Sequence, residues 1–282
     1  MKVLAAGGSV TRPVRRYTGA RAAPADDVIA IEEPLQITLE WPGGRKPLAV
    51  TMRTPGADAE LALGFLWGEG ILNPASVVRE VAVAAAAADG NEVRVVLAAQ
   101  PPDALLRQER NTYLTSSCGI CSRAALDAVR VRAAFRRPTE RFSITSAVLH
   151  ALPQQLSAGQ ALFAGAGSVH AAALFDASGA LEAVAEDVGR HNALDKVIGA
   201  AYVAGRLPLF ERGVAVSGRA SFELVQKAHM AGIRLLAAVG APSSLAIDLA
   251  WEADMTLVGF LRDGRFNVYS APAGIIGQDE EA

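Results

Sequence analysis

From His170 to Tyr269 short apolar runs alternate with stretches of helical spacing, and this alternation constrains the fold more than any other feature of the chain. His170–Phe175 and Leu181–Ala185 read as strands around Ser178-Gly179, and Asn192–Ala204 reads as a helix. Gly213–Val216 is then a strand, Phe222–Ala231 a helix, Ile233–Val239 a strand and Ser244–Ala253 a helix. Thr256–Leu261 and Phe266–Tyr269 make a hairpin whose Asp263-Gly264 suits a type I′ turn, since both central residues there need positive φ. The pattern predicts α/β layers around a partly parallel sheet.

The first hundred residues read differently. Val28–Ile31, Leu35–Trp41, Leu48–Met52, Val77–Val83 and Val93–Leu97 are extended, with one helix over Glu60–Trp67 ending near Gly68-Glu69-Gly70. Phe65 and Trp67 read as core residues of that helix. Residues 1–25 carry Gly, Arg, Ala and Pro without periodicity and read as a flexible tail. Pro101-Pro102 and Pro138 bracket a further segment. The expected division is therefore a tail (1–25), a smaller β-rich domain (26–105), a basic loop and helix (106–140) and an α/β domain (141–275).

Composition excludes several functions. No run approaches the roughly 20 apolar residues of a membrane span, and a formal net charge of −2 gives no general pull towards nucleic acid or membranes. The apolar stretch at the N-terminus is too short for a signal peptide. The expectation is a soluble, cytoplasmic protein in a reducing compartment.

That compartment matters because the chain has two cysteines, Cys118 and Cys121, spaced Cys-Gly-Ile-Cys. Such a pair can close a disulfide, bind a metal with outside ligands, or present a reactive thiolate. From Arg107 to Arg141 eight arginines stand against Glu109, Asp127 and Glu140, a local balance of 8 − 3 = +5. The residues after Cys121 have helical spacing with Ser122 as a cap, which places both thiols at a helix N-terminus. Cations and a helix N-terminus can lower a thiol from about 8.5 to roughly 3.5–7.5.

Two turns of the α/β half suit an anion. Glu186-Asp-Val-Gly-Arg190-His191-Asn192-Ala-Leu-Asp195-Lys196 crowds polar groups between a strand end and a helix start, where main-chain N–H groups helped by Arg190 would bind negative charge. The alternative is a charged turn capped by Asn192. Ser217-Gly-Arg219-Ala-Ser221 repeats the design after a later strand, and if both turns share one sheet edge the ligand would be elongated and anionic. Pro242-Ser243-Ser244 reads equally as a capped helix start. Gly165-Ala-Gly167-Ser-Val-His170 begins like a dinucleotide fingerprint, but His170 occupies its third glycine position. His170 itself could be a ligand, a base or a satisfied core histidine.

Together, Cys-Gly-Ile-Cys (118–121), Gly-Ser-Val-His-Ala-Ala-Ala (167–173), the motif at 186–196, Ser-Gly-Arg-Ala-Ser-Phe-Glu-Leu-Val-Gln-Lys (217–227) and Gly-Phe-Leu-Trp-Gly-Glu-Gly-Ile-Leu (64–72) resemble the formate dehydrogenase accessory sulfurtransferases, the FdhD family. The resemblance covers most of residues 28–270. It implies a cytidine-deaminase-like α/β domain, a homodimer, and a sulfur carrier. That carrier would take persulfide sulfur from a cysteine desulfurase and pass it to the bis-guanylyl molybdenum cofactor, molybdenum bis(molybdopterin guanine dinucleotide), for formate dehydrogenase. Cys118 and Cys121 match the family's paired cysteines. Phe260, Leu261, Arg262, Asp263, Gly264 and Arg265 look like its cofactor-binding segment, with Arg190, His191 and Arg219 as further cofactor-binding candidates. Ala166-Gly167 stands where the family often has Thr-Gly, and Ser122 where it often has glycine. No resident metal is expected. A zinc deaminase would need His-x-Glu before Pro-Cys-x-x-Cys, whereas here His170 follows the cysteines, Ala172 replaces the glutamate and Ser117 the proline. A thiol-disulfide oxidoreductase would leave the anion-suited turns without a purpose, and a non-catalytic cofactor-binding chaperone would make the cysteines incidental.

Overall fold

The computed structural model describes residues 1–4, 8–83, 91–102, 135 and 138–276. Its first half contains β1 (Lys2–Leu4), β2 (Ser9–Thr18), β3 (Arg21–Ala30), β4 (Glu33–Trp41), β5 (Gly44–Arg53), α1 (Asp58–Gly68), β6 (Val78–Val83) and β7 (Glu92–Leu97). Then come β8 (Ile144–Thr145), α2 (Ser146–Ala158), α3 (Ala161–Ala166), β9 (His170–Phe175), β10 (Leu181–Asp187), α4 (Arg190–Val203) and β11 (Gly213–Val216). The chain continues through α5 (Phe222–Met230), β12 (Leu235–Ala238), α6 (Ser244–Glu252), β13 (Thr256–Arg262), β14 (Arg265–Ser270) and β15 (Ile275–Ile276).

The architecture is mixed α/β. A seven-stranded sheet runs β1-β10-β9-β11-β12-β13-β14, with β9 and β14 antiparallel to the rest. Its inner strands β9, β11 and β12 are apolar without alternation because both faces are covered. Ala172, Leu174, Val214, Val216 and Leu236 pack on one face with α1, α4, α5 and α6, and Ala173, Phe175, Ala215, Leu235 and Val258 pack on the other with Leu149, Leu152 and Leu156 of α2. The smaller sheet, β5-β4-β7-β6, turns Leu35, Ile37, Leu39, Val93 and Val95 into the first of these cores. The apolar core is thus continuous from the β-rich half into the α/β half. Trp67 lies within it, and its indole Nε1–H donates to Met230 O at 2.7 Å.

Residues 1–25, expected as a flexible tail, are instead built into sheets. Lys2–Leu4 adds a parallel edge strand to Ala183–Ala185, with Leu4 buried, and β2 and β3 pair over their full length from Ser9–Ala30 to Thr18–Arg21. The hairpin is exposed on both faces, so its sequence has no apolar alternation to read; backbone pairing and an Arg16–Asp27 ion pair at 3.5 Å define it. Helix α4 begins two residues before the expected Asn192, which brings Arg190 and His191 into its first turn. The Asp263-Gly264 turn has φ of 55° and 71°, the type I′ geometry its composition predicts. No helix among the described residues is long and apolar enough to cross a membrane. The cysteine loop, with Cys118, Cys121 and the helix expected after Ser122, lies outside the described residues.

Candidate functional site

Strands β10, β11, β12 and β13 all point the same way, so the turns that follow them meet at one edge of the large sheet, together with the start of the antiparallel β9. Carboxyl ends of parallel strands are where open α/β sheets bind ligands. The turns at 188–191 and 217–221 both lie at this edge, as does the β13–β14 hairpin.

Main-chain bonds tie the turns together. Ser217 N donates to Ala171 O at 3.0 Å and its Oγ accepts from Ala171 N at 2.8 Å, Gly240 N donates to Gly218 O at 2.9 Å, and Phe260 N donates to Gly240 O at 3.1 Å. A Cβ on Gly240 would lie 2.9 Å from Gly218 O, so glycine is needed for the turns to approach this closely. Ser243 caps α6 by accepting from Ala246 N at 3.3 Å, which is the structural reading of Pro242-Ser243-Ser244. Short helix α3 ends at Gly167 (φ 67°) and leads into β9, the reverse order of a dinucleotide-binding turn.

The charged motif at 186–196 divides into two sets. Glu186 accepts from Leu162 N and Phe163 N, both at 2.8 Å, and so caps α3. Asp187 and Lys196 are fully buried and paired at 2.7 Å. Asp187 also accepts from Thr54 N, Gly189 N and Asn192 Nδ2, while Lys196 donates to Thr54 O at 2.9 Å. Asn192 does not cap α4, whose N-cap is Gly189; it donates to Met52 O at 2.7 Å and accepts from Thr51 Oγ1 at 3.0 Å. These residues are a brace holding the end of β5 against the turn. Sequence reasoning missed Thr51 and Thr54 because they lie more than a hundred residues from their partners.

Arg190 and His191 form the other set. Arg190 makes no ion pair among the described residues, and neither does Arg219 on the next turn, whereas Arg53, Arg94, Arg206 and Arg212 are all paired with carboxylates. His191 Nε2 lies 2.9 Å from Glu223 Oε2 and 3.2 Å from Ser221 Oγ. A hydrogen bond from His191 holds the Glu223 carboxyl below its usual range, against the opposing effect of burial. Glu223 and Ser221 were not singled out individually in the sequence, although both lie in the 217–227 motif.

The segment Phe260–Arg265 leaves the same edge as a bulged hairpin. Phe260 has φ of 53° and the β13–β14 register shifts between Gly259 and Arg262. The bulge buries Leu261 and leaves Arg262, Asp263, Gly264 and Arg265 exposed, with the Arg262 guanidinium 5.9 Å from the Phe260 ring centre.

Fold and edge together define a mixed α/β protein that presents unpaired cations where its parallel strands end. The FdhD/NarQ family model matches residues 30–276. A relative from Streptomyces avermitilis named "Sulfur carrier protein FdhD" is 48% identical over 273 residues, covering 93% of this chain and 95% of its own. One of the same name from Sulfolobus acidocaldarius is 42% identical over 253 residues, covering 90% and 93%. A crystal structure from Desulfotalea psychrophila, of a protein provisionally described as a formate dehydrogenase accessory protein, superposes with a TM-score of 0.72 over 96% of this chain and all of that one. At 24% identity this likeness concerns the fold. The chain belongs to the FdhD/NarQ family.

Proposed function

We propose that the protein is a sulfur carrier that accepts persulfide sulfur from a cysteine desulfurase and passes it to the bis-guanylyl molybdenum cofactor, its bound substrate, for use in formate dehydrogenase. The observation that carries this reading is that Arg190 and Arg219, which make no ion pair among the described residues, stand on neighbouring turns of one sheet edge. A substrate bearing two pyrophosphates needs such cations, which bind phosphate oxygens through charge-assisted hydrogen bonds. His191 and the hairpin Phe260–Arg265 flank these turns and would complete the contacts. The relatives named sulfur carriers supply the other half, and the Cys118–Cys121 pair supplies a thiol for it. In the loading step the thiolate of Cys118 or Cys121 attacks the terminal sulfur of the desulfurase persulfide. The S–S bond of the donor breaks, its thiolate leaves, and the carrier holds the persulfide with no net redox change. A homodimer in the cytoplasm belongs to the same reading.

Intact mass after incubation with a cysteine desulfurase and cysteine tests it. Wild type should gain one reducible sulfur atom, and either Cys118→Ala or Cys121→Ala should abolish the gain. No added sulfur on wild type, or full formate dehydrogenase activation by the double variant, would replace the carrier with a cofactor-binding chaperone. Arg219→Gln should leave sulfur loading intact while weakening cofactor binding about tenfold or more, the scale of one lost hydrogen bond to a charged group. Unchanged formate dehydrogenase activation by that variant at limiting concentration would remove Arg219 from the site.

A further inference from the structure

Among the described residues neither the His170 ring nor the Arg190 guanidinium has a hydrogen-bond or ion-pair partner, and they face the same turn. His170 opens β9 and is half-buried, and its imidazole makes no hydrogen bond among the described residues. Arg190 opens α4, and its Nε is buried with no acceptor among the described residues. A Cβ placed on Gly218 would lie 3.3 Å from His170 Nδ1 and 3.8 Å from Arg190 Cδ, so the absence of a side chain there leaves the turn's main chain beside both. A satisfied core histidine would have an acceptor or donor in reach, and a structural arginine would have a carboxylate.

The carboxylate that acts on His170 is already committed. Asp187 pairs with His170 across the β9–β10 ladder, but its oxygens are taken by Lys196, Thr54 N, Gly189 N and Asn192. The charged groups acting on His170 are Asp187 from β10 and Arg190 and His191 from α4, and His191 is held by Glu223. The gap beside Gly218 therefore has cationic and hydrogen-bonding character, and the carboxylate that acts on Arg190 from α5, Glu223, is already bonded to His191.

We propose that His170 and Arg190 form a phosphate subsite beside the Gly218 turn, in which His170 takes up a proton as a phosphate or pyrophosphate group binds. In biological terms this rests on the reading of a pyrophosphate-bearing substrate. Burial first, then Arg190 and His191, holds the free imidazole below its ordinary range, with Asp187 opposing. His170 is accordingly neutral at neutral pH until negative charge arrives. A bound phosphate offsets the arginine, favours the imidazolium and turns His170 from an unpaired ring into a charged donor. Binding and proton uptake are then linked, so affinity falls as pH rises above the free histidine's titration.

Calorimetry of the full chain with inorganic pyrophosphate, at pH 7 in two buffers of different ionisation enthalpy, measures this directly. Wild type should bind with net proton uptake. His170→Gln should still bind, since the amide remains a donor, but with its uptake reduced by His170's share and its affinity less dependent on pH; between pH 6 and 8 the wild-type affinity should fall about three- to tenfold more than the variant's. Arg190→Gln should weaken pyrophosphate about tenfold or more. Equal proton uptake by wild type and His170→Gln, unchanged affinity in Arg190→Gln, or no binding by wild type would each overturn the proposal, and thermal melts establish that both variants are folded. Sulfur loading needs no pyrophosphate. A failed subsite with intact loading leaves the carrier reading in place, and failed loading with intact pyrophosphate binding leaves the subsite.

Discussion

Replacing Asp187 by alanine is expected to destabilise the protein by about 3–5 kcal/mol, because it strands the ammonium of Lys196 in a fully buried site. Lys196 would keep Thr54 O at 2.9 Å and Glu186 O at 3.3 Å, which are dipoles rather than a counter-charge. The main-chain donors of Thr54 and Gly189 would lose their acceptor at the same time. Lys196→Met should cost less, since the carboxylate left behind still accepts three N–H bonds, from Thr54, Gly189 and Asn192. Combining Asp187→Ala with Lys196→Met should cost less than the sum of the two, because the second change removes the stranded charge. Denaturant melts of the four proteins measure this coupling. Additive losses would mean that the two charges do not depend on one another. Since Asp187 fixes the turn that carries Arg190, the alanine variant should also bind anion poorly at temperatures where it remains folded.

This brace shows where sequence reading stopped. The strands His170–Phe175 and Gly213–Val216 were legible to the residue, because a strand buried on both faces is an unbroken apolar run between turns. The turns at 188–191 and 217–221 were legible as strand-end turns through their glycines and arginines, and the structure brings them to one sheet edge. What could not be read was the direction of each side chain in 186–196. Asn192, Asp195, Lys196 and Gly199 lie on the buried side of α4, but a motif of charged residues looks the same whether it meets solvent, a ligand or another helix. Their partners Thr51, Thr54, Gly64 and Lys227 come from distant parts of the chain. His170 was left open for the same reason, since only the fold decides whether a partner stands in reach. Of the β2–β3 hairpin only the end of β3, within Val28–Ile31, was legible, because the rest of its strands buries too little to leave a pattern.

Gly64→Ala and Gly199→Ala are each expected to cost at least about 1–3 kcal/mol, although alanine is the better helix former by roughly 1 kcal/mol. Helices α1 and α4 cross at these glycines in backbone contact. A Cβ on Gly64 would fall 1.9 Å from Asp195 O, and one on Gly199 would fall 1.8 Å from Glu60 O. No rotamer relieves a clash with main chain, so the helices must separate along the seam between the β-rich and α/β halves. Separation would also disturb Asp195, whose carboxylate receives Lys227 Nζ at 2.8 Å on both oxygens. Burial pushes that carboxyl up to about 6 against the pull of Lys227, so its ionisation already opposes folding as pH rises from the usual carboxylate range towards 6. Any loss of contact with Lys227 would leave the Asp195 carboxylate without its counter-charge. Gly165→Ala is the control, because a Cβ there meets nothing closer than Val28 Cγ1 at 3.9 Å and the change should be neutral or stabilising. Equal melting temperatures for Gly64→Ala and Gly165→Ala would contradict the backbone crossing. A loss confined to the two crossing variants would identify this backbone contact as what holds the β-rich and α/β halves together along the seam.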